Sequence, residues 1–267
     1  MRLPTPPQRD RLTVVLVSPR NPLNIGAAAR AMANFDVSHL TVVDPYEPHW
    51  REAKSAVGAD QVLQNARCTE CLTDAIADCS LVIGTGTLAH RKPEQTIVSL
   101  PSLQPIVQQR FAHGGRVALV FGPEKRGLTR DDLALCHLLV EIPTHPSQPS
   151  MNLGQAVAVC LYELAASRDH SARSAASSNS PESNPSAAYA TTIPDPAATA
   201  RDLDLLAAVI DETMITANYS PSIMRNANRH DLHLLLRRLA LSRGDARRIL
   251  GLFRRILWQL RRRSASR

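Results

Sequence analysis

The sequence contains no apolar run approaching the roughly 18 residues that a membrane-spanning helix needs. Its longest strongly apolar stretches, Leu12–Val17 and Val117–Phe121, are of strand length. The opening segment MRLPTPPQRDR lacks the apolar core of a signal peptide, so a soluble, cytoplasmic protein is expected. Cysteine is sparse and odd in number, at 5, which argues against a secreted disulfide scaffold. Aromatic residues make up only 4% of the chain, against 44% hydrophobic residues overall. At 267 residues the chain can bury a sizeable core without disulfides or metal.

Lysine is scarce too. Only Lys54, Lys92 and Lys125 are lysines among 31 basic residues, so part of the arginine enrichment is compositional. The distribution of charge says more than its net value of +7. Residues 201–267 hold 14 arginines and 6 acids, whereas residues 1–200 hold 17 basic and 18 acidic residues. The positive excess lies wholly at the C-terminal end, which suggests a polyanionic partner there. A solvated helix face would give the same count.

The chain divides by composition. Residues 166–200 include SARSAASSNSPESNPSAA, which has no apolar periodicity and too little apolar surface to offset its ordering entropy. A disordered linker is expected there, between an N-terminal domain over 10–165 and a C-terminal module over 201–262. Strands are expected at Leu12–Val17, His39–Val43, Ser80–Gly84, Arg116–Phe121 and Leu138–Ile142. Helices are expected at Ile25–Phe35 with Asn24 as N-cap, Leu72–Ala77, Ser102–Phe111 and Met151–Ala166. This alternation predicts an α/β fold, with a mostly parallel sheet covered by helices on both faces. In such sheets ligands bind where loops leave the C-terminal strand ends. The C-terminal part predicts three helices, Leu203–Thr216, Asp231–Leu241 and Asp245–Leu260. Arginines at 237, 238, 247, 248, 254, 255 and 261–263 fall largely off the apolar stripe.

Three strand-exit loops carry unusual residue sets: Ser18 to Gly26 leading to Arg30, Gly122 to Thr129, and Pro143 to Gly154. None is a dinucleotide fingerprint or a P-loop. Gly84-Thr85-Gly86 is a bare G-x-G, which by itself is usually only a turn. The motifs N-x-G-x-x-x-R (Asn24, Gly26, Arg30), F-G-x-E-x-x-G-L (Phe121 to Leu128) and I-P…P-S-x-N-L (Ile142 to Leu153) occur in that order. Together they resemble the three motifs of the SpoU branch of the SPOUT RNA ribose methyltransferases. The segment SLVIGTGT, Met224 and Leu234 to Leu239 also resemble the TrmJ-type tRNA methyltransferases, a bacterial subgroup with a helical appendage.

That resemblance implies a C-terminal trefoil knot in the methyltransferase domain and a homodimer with a shared active site. It implies S-adenosyl-L-methionine as cofactor, S-adenosyl-L-homocysteine as product, and no metal. The implied substrate is RNA, specifically the ribose 2′-oxygen of tRNA nucleotide 32 in the anticodon loop. Thr85, Gly86 and Thr87 would line the cofactor pocket. Gly122 and Ile142 would approach the adenosine through backbone atoms, and a Cβ at 122 would block that approach. Ser150, Met151 and Leu153 would close the pocket, with Asn152 holding their loop. Arg30, from the partner subunit, would face the target ribose. Glu124 would order the second motif or contact the RNA side, and Asn24, Arg30, Glu124, Ser150 and Asn152 form the implied catalytic set. Arg237, Arg238, Arg247, Arg248, Arg254 and Arg255 would bind RNA. Pro149 departs from the small polar residue often found before the motif-three serine.

Other candidates carry less. Cys68-x-x-Cys71 has no second pair of ligands nearby, so incidental thiols are expected rather than zinc. His230 and His233 sit one turn apart, and polar surface contact or RNA proximity is the expectation. His145, in the third motif loop, is expected to shape the pocket, with a general-base role as the lesser reading, since such loops also carry histidines for hydrogen bonding alone. Two alternatives to the tRNA enzyme stand beside it: an rRNA 2′-O-methyltransferase, and a noncatalytic RNA-binding protein on the same fold.

Overall fold

The computed structural model describes residues 6–86, 93–165 and 195–265. Its first part alternates strands and helices, among them the short α1 (Pro6–Arg9) and α3 (Asp60–Gln64). Strands β1 (Leu12–Val17), β2 (His39–Val43), β3 (Arg67–Thr69), β4 (Leu81–Thr85), β5 (Thr96–Ser99), β6 (Val117–Phe121) and β7 (Leu138–Glu141) form one sheet in the order β3-β2-β1-β6-β4-β7-β5. Every pairing in it is parallel. The five expected strands are present, shifted at their ends by one residue at most. The late strand β7 lies between β4 and β5, an interleaving consistent with the knotted path that the resemblance implies.

Parallel strands need helical crossovers, and these cover both faces. Leu12, Val14 and Leu16 of β1 face one layer. That layer contains α2 (Pro22–Asn34), α5 (Leu103–Ala112) and α7 (Leu153–Ala165). Val15 and Val17 alternate to the other face, where they meet α4 (Leu72–Ile76) and α6 (Arg130–Ala134). Each such aliphatic side chain, fully buried, contributes roughly 1.5–3 kcal/mol relative to exposure. Gly154 lets α7 approach α2 closely, since a Cβ there would stand 2.6 Å from the Ala27 Cβ.

One helix start differs from expectation. The N-cap of α2 is Asn21, whose side chain accepts from the Leu23 N–H at 2.9 Å, and Pro22 follows at N1. Proline suits that position because its missing N–H would be unpaired anyway. Asn24 therefore lies inside the helix, and its side chain is released for other work.

The C-terminal part comprises α8 (Ala200–Thr216), α9 (Arg225–Arg238) and α10 (Arg243–Ala265). Each begins before its expected position, α9 by six residues. Leu206, Ile210, Leu232 and Leu236 form their shared core, with Ile249, Leu250 and Phe253 packed against it. The three helices dock on the sheet domain. Ala200 is buried in the second-face core, and its N–H donates to the Cys79 carbonyl at 2.8 Å. Of the expected linker, residues 195–200 are structured: Ala197 pairs with Ser242, and Thr199 caps α8 in a reciprocal box with Asp202. The rest of that linker lies outside the described residues.

Candidate active site

Strands β6, β4 and β7 are neighbours in the sheet but distant in sequence, and their C-terminal ends open onto one cavity of about 350 Å³. Thr85 and Gly86 line it from the end of β4. Phe121, Gly122 and residues 123–128 line it from β6, and Ile142, Thr144 and 149–151 from β7. Leu153 and Ala156 at the start of α7 complete the wall, with Leu133 from α6. Of the residues expected at a cofactor pocket, all but Thr87 converge here; Thr87 lies outside the described residues. The cavity size falls in the usual range for small-molecule sites, about 300–1,000 Å³. Leucine, isoleucine and alanine side chains give it an apolar body, and Thr144 and Ser150 supply hydroxyls.

Glycine at 86 and 122 serves different ends. A Cβ on Gly86 would meet nothing within 4 Å, so the backbone there borders open space. A Cβ on Gly122 would lie 2.2 Å from the Leu128 nitrogen and 2.3 Å from the Gly127 carbonyl carbon. The constraint visible at 122 is thus closure of the 122–128 loop on itself, in addition to any approach by a ligand. Thr85 is buried, and its hydroxyl donates to the Val120 carbonyl at 3.0 Å, so it ties β4 to β6 instead of offering a free donor.

The three motifs are joined by side-chain hydrogen bonds. Asn24 Nδ2 donates to Glu124 Oε1 at 2.8 Å, and Asn152 Nδ2 donates to Asn24 Oδ1 at 2.9 Å. Asn152 Oδ1 accepts from the N–H groups of Gly154 at 2.9 Å and Gln155 at 3.4 Å, which caps α7. Glu124 also accepts from the backbone N–H of Arg20 and of Asn21. Burial works against ionising the Glu124 carboxyl, but hydrogen bonds from Asn24 and from backbone N–H groups outweigh it. The carboxyl is held below its ordinary range. Because the carboxylate can only accept, it fixes the orientation of both amides in the chain.

Arg30 is exposed on α2 and does not line the cavity of its own chain. Ser150 is exposed at the cavity edge, and the Pro149 carbonyl accepts from Thr144 Oγ1 at 3.2 Å. His145 is exposed, with Nδ1 2.8 Å from Ser147 Oγ, an interaction within its own loop. Cys68 and Cys71 are exposed, and Cys71 Sγ lies 3.0 Å from Thr73 Oγ1. Among the described residues there is no cluster of three or more metal-type ligands, and no helix long and apolar enough to cross a membrane.

The six arginines expected at RNA separate. Arg238, Arg247, Arg248, Arg254 and Arg255 are exposed. Arg237 is not: it is 3% exposed, donates to Asp204 at 2.8 Å and reaches the Leu135 carbonyl at 3.2 Å. It sits at the junction of α9 with the sheet domain, because its long stem can be covered by apolar neighbours while its head meets a carboxylate. Arg237 is therefore corrected from an RNA contact to a structural strut. His230 is likewise buried, with Nδ1 3.7 Å from Asp131 of α6, so it belongs to the same junction and not to the surface. Trp258, unremarked in the sequence, is 42% exposed and carries Arg255 at 4.4 Å and Arg262 at 4.7 Å from its ring centroid. The i−3 and i+4 spacing of arginines about a helical tryptophan was the signal that could have found it.

Comparison with known proteins agrees with this geometry. Residues 11–162 match the SpoU rRNA Methylase family. A Pseudomonas aeruginosa protein, tRNA (cytidine/uridine/adenosine-2′-O-)-methyltransferase TrmJ, is 40% identical over 156 residues, which are 58% of this chain and 60% of that protein. The TrmJ of Yersinia enterocolitica is 37% identical over 158 residues, 57% of this chain and 59% of its own length. The chain thus matches about three fifths of these relatives. The crystal structure of TrmJ from Z. mobilis superposes with a TM-score of 0.76 at 26% identity, covering 91% of this chain and 98% of that one. With residues 11–162 matching, and with its three motifs hydrogen-bonded to one another beyond the ends of β1, β6 and β7, the chain belongs to the SpoU methylase family.

Proposed function

We propose that the protein is an S-adenosylmethionine-dependent RNA 2′-O-methyltransferase acting on tRNA, at nucleotide 32 of the anticodon loop, as a cytoplasmic homodimer. The observation that carries this is the hydrogen-bonded chain Glu124–Asn24–Asn152 set beside a cavity that fits the cofactor. The apolar walls suit an adenine ring, the backbone at Gly86 borders open space, and Ser150 at the edge carries a hydroxyl. The names of the relatives and the fold match to TrmJ support tRNA over rRNA. The same reading divides the chain into a methyltransferase domain over 10–165, a linker over 166–200 whose end is docked, and a basic RNA-binding module over 201–262.

S-adenosylmethionine, when bound, supplies a methyl group already activated by its positive sulfur. The residues of the chain then have to bind, align and stabilise charge. Thr85, Gly86, Gly122, Ile142, Met151 and Leu153 would hold the cofactor, with Ser150 at its edge. In-line displacement requires the ribose 2′-oxygen to be fixed in line with the methyl group, and orientation of that kind is a large part of catalysis. The Arg30 guanidinium, a donor with no acceptor, serves as a clamp on the 2′-oxygen and the adjacent phosphate, where negative charge develops. Its exposure outside its own cavity supports delivery to the partner's site. The 2′-hydroxyl proton leaves to the phosphate or to solvent. Glu124, Asn24 and Asn152 hold the motif loops in register for this alignment.

The test is transfer of labelled methyl to bulk tRNA by the purified protein, followed by mapping of 2′-O-methylated nucleotides in cells with and without the gene. Loss of the mark at nucleotide 32 is expected. Loss confined to rRNA would move the substrate, and absence of transfer to any RNA would overturn the enzyme.

A further inference from the structure

Strands β1 and β2 leave the sheet in the same way. Val17 and Val43 are register partners, and the residue after each, Ser18 at φ 43 and Asp44 at φ 45, adopts the left-handed conformation without being glycine. Residues with side chains hold that conformation only where the surroundings enforce it, and such places concentrate at functional sites. Here the enforcement is a set of backbone bonds. Ser18 N–H donates to the Val43 carbonyl at 2.7 Å, Asp44 N–H to Thr69 at 2.9 Å, and Tyr46 N–H to Pro19 at 3.2 Å. The two loops are thereby fixed to each other.

The result is a built lip beside the cavity. The Arg20 N–H lies 3.2 Å from Glu124 Oε2, an atom of a cavity-lining residue, while the Arg20 guanidinium lies 5.9 Å from the centroid of the Tyr46 ring. Tyr46 is 72% exposed, and nothing in the mechanism above uses it. Lys125 and Arg126 line the same cavity from motif two. Three cations and an exposed ring thus gather around one mouth, although residues 1–200 as a whole hold 17 basic and 18 acidic residues. Glu47 adjoins Tyr46 and the Glu124 carboxylate lines the same mouth, so the lip is not uniformly positive. Its contribution is base stacking more than bulk attraction, the role proposed for the arginines of α10.

We propose that Arg20 and Tyr46, with Lys125 and Arg126, form a receiving lip for the single-stranded RNA that flanks the target ribose. The Tyr46 ring stacks an unpaired base, and Arg20 holds a neighbouring phosphate. Every base presents a π-face, so an exposed ring beside a guanidinium accepts loop nucleotides of any sequence. The proposal rests on the RNA methyltransferase reading and adds a second RNA contact, separate from the C-terminal helices.

The experiment uses the full chain with a fluorescein-labelled tRNA anticodon stem–loop and reads binding by anisotropy, alongside methyl transfer, cofactor affinity by calorimetry and mass by light scattering. Tyr46→Ala is expected to weaken RNA binding by about fivefold or more, with cofactor affinity and mass unchanged. Tyr46→Phe is expected to bind as the parent does. Arg20→Ala, which keeps the backbone N–H on Glu124, should also weaken binding and reduce the salt slope by about one. RNA affinity unchanged in both Tyr46→Ala and Arg20→Ala would overturn the lip. So would equal weakening in Tyr46→Phe, which would mark a hydroxyl contact. A fall in mass for Tyr46→Ala would overturn it in favour of a subunit contact. A parent protein that binds RNA without transferring methyl would sink the activity but leave the lip open to these same binding comparisons. A parent that binds no RNA would overturn both.

Discussion

Asn152 donates its side-chain amide to the side-chain oxygen Oδ1 of Asn24 at 2.9 Å, joining the helix that opens motif one to the helix that follows motif three. Because Asn24 spends its own amide on Glu124, the direction of this bond is set from the far end of the chain. Asn152→Asp makes a sharp test. Aspartate caps a helix as well as asparagine does, and its charge suits the N-terminus of α7, so stability should change by less than about 1 kcal/mol. The carboxylate would nonetheless face the Asn24 oxygen, with no proton between them. Methyl transfer should fall by about tenfold or more, since a polar group deprived of its partner costs about 1–3 kcal/mol once the substrate covers it. A melting temperature near that of the parent, with transfer strongly reduced, is the expected pair of readings. Unimpaired transfer would show that the chain of amides does not govern the site.

Low pH should weaken the sheet domain through His137. Burial, with the charges of Arg237 and Arg110, lowers its pKa from 6.5 to about 3. Its Nδ1 accepts the Val82 N–H at 3.1 Å, which requires an unprotonated nitrogen there. The unfolded chain takes up this proton near pH 6.5 and the folded chain only near 3. Stability is therefore full above 6.5 and declines as pH falls from 6.5 towards 3. His137→Asn keeps an acceptor for Val82 without the titration. Thermal unfolding followed across that window should show a shallower loss for the variant, and an identical slope would remove His137 as its source.

How far the sequence reached depended on local signals. The strands β1, β2, β4, β6 and β7 were legible because buried parallel strands read as unbroken apolar runs such as Val117–Phe121. The edge strands β3 and β5 were not: Arg67-Cys68-Thr69 is short and largely exposed, and Thr96–Ser99 faces solvent at most positions. Nothing local distinguishes such segments from loops. The motif loops were visible as clusters of special residues, but the bond between Asn24 and Glu124 spans 100 positions and no spacing reveals it. The fate of Arg237 was hidden for a related reason. Its neighbour Arg238 is chemically identical and exposed, and only the docking of α9 on Leu135 tells them apart.

That difference predicts two phenotypes from two adjacent arginines. Removing one member of a buried ion pair typically costs about 3–5 kcal/mol, so Arg237→Ala should destabilise the helical module through the stranded Asp204. Arg237→Met with Asp204→Leu should recover much of the loss, as packed apolar pairs often do. Replacing Arg247, Arg248, Arg254 and Arg255 by alanine should leave melting nearly unchanged. It should reduce RNA affinity and lower the salt slope, by about one for each phosphate that is no longer neutralised. Fluorescence of the half-exposed Trp258, flanked by Arg255 and Arg262, offers a local readout of RNA binding, while Trp50 is buried. A salt slope unchanged in the quadruple variant would place the RNA footprint away from α10.

Arg30 lies on α2 six residues beyond Asn24, exposed and outside its own cavity, so removing it should leave cofactor affinity nearly intact. Arg30→Ala should abolish methyl transfer if the guanidinium meets the target ribose. Arg30→Lys separates charge from geometry. A lysine keeps the positive charge but replaces a planar fork with a single ammonium, and the fork is what can hold a ribose oxygen and a phosphate together. If the alignment matters, Arg30→Lys should remain impaired by about tenfold or more in single-turnover transfer, since an interaction made in the transition state shows itself in that step. Delivery across subunits can be checked by mixing. A dimer that pairs Arg30→Ala with a chain disabled in its cavity should regain about half of the parental transfer, because one composite site is intact. Restoration on mixing identifies a shared site, and failure to restore it would confine Arg30 to the chain that carries it. Near-normal rates for Arg30→Lys would show that charge alone suffices, and near-normal rates for Arg30→Ala would remove this residue from the reaction.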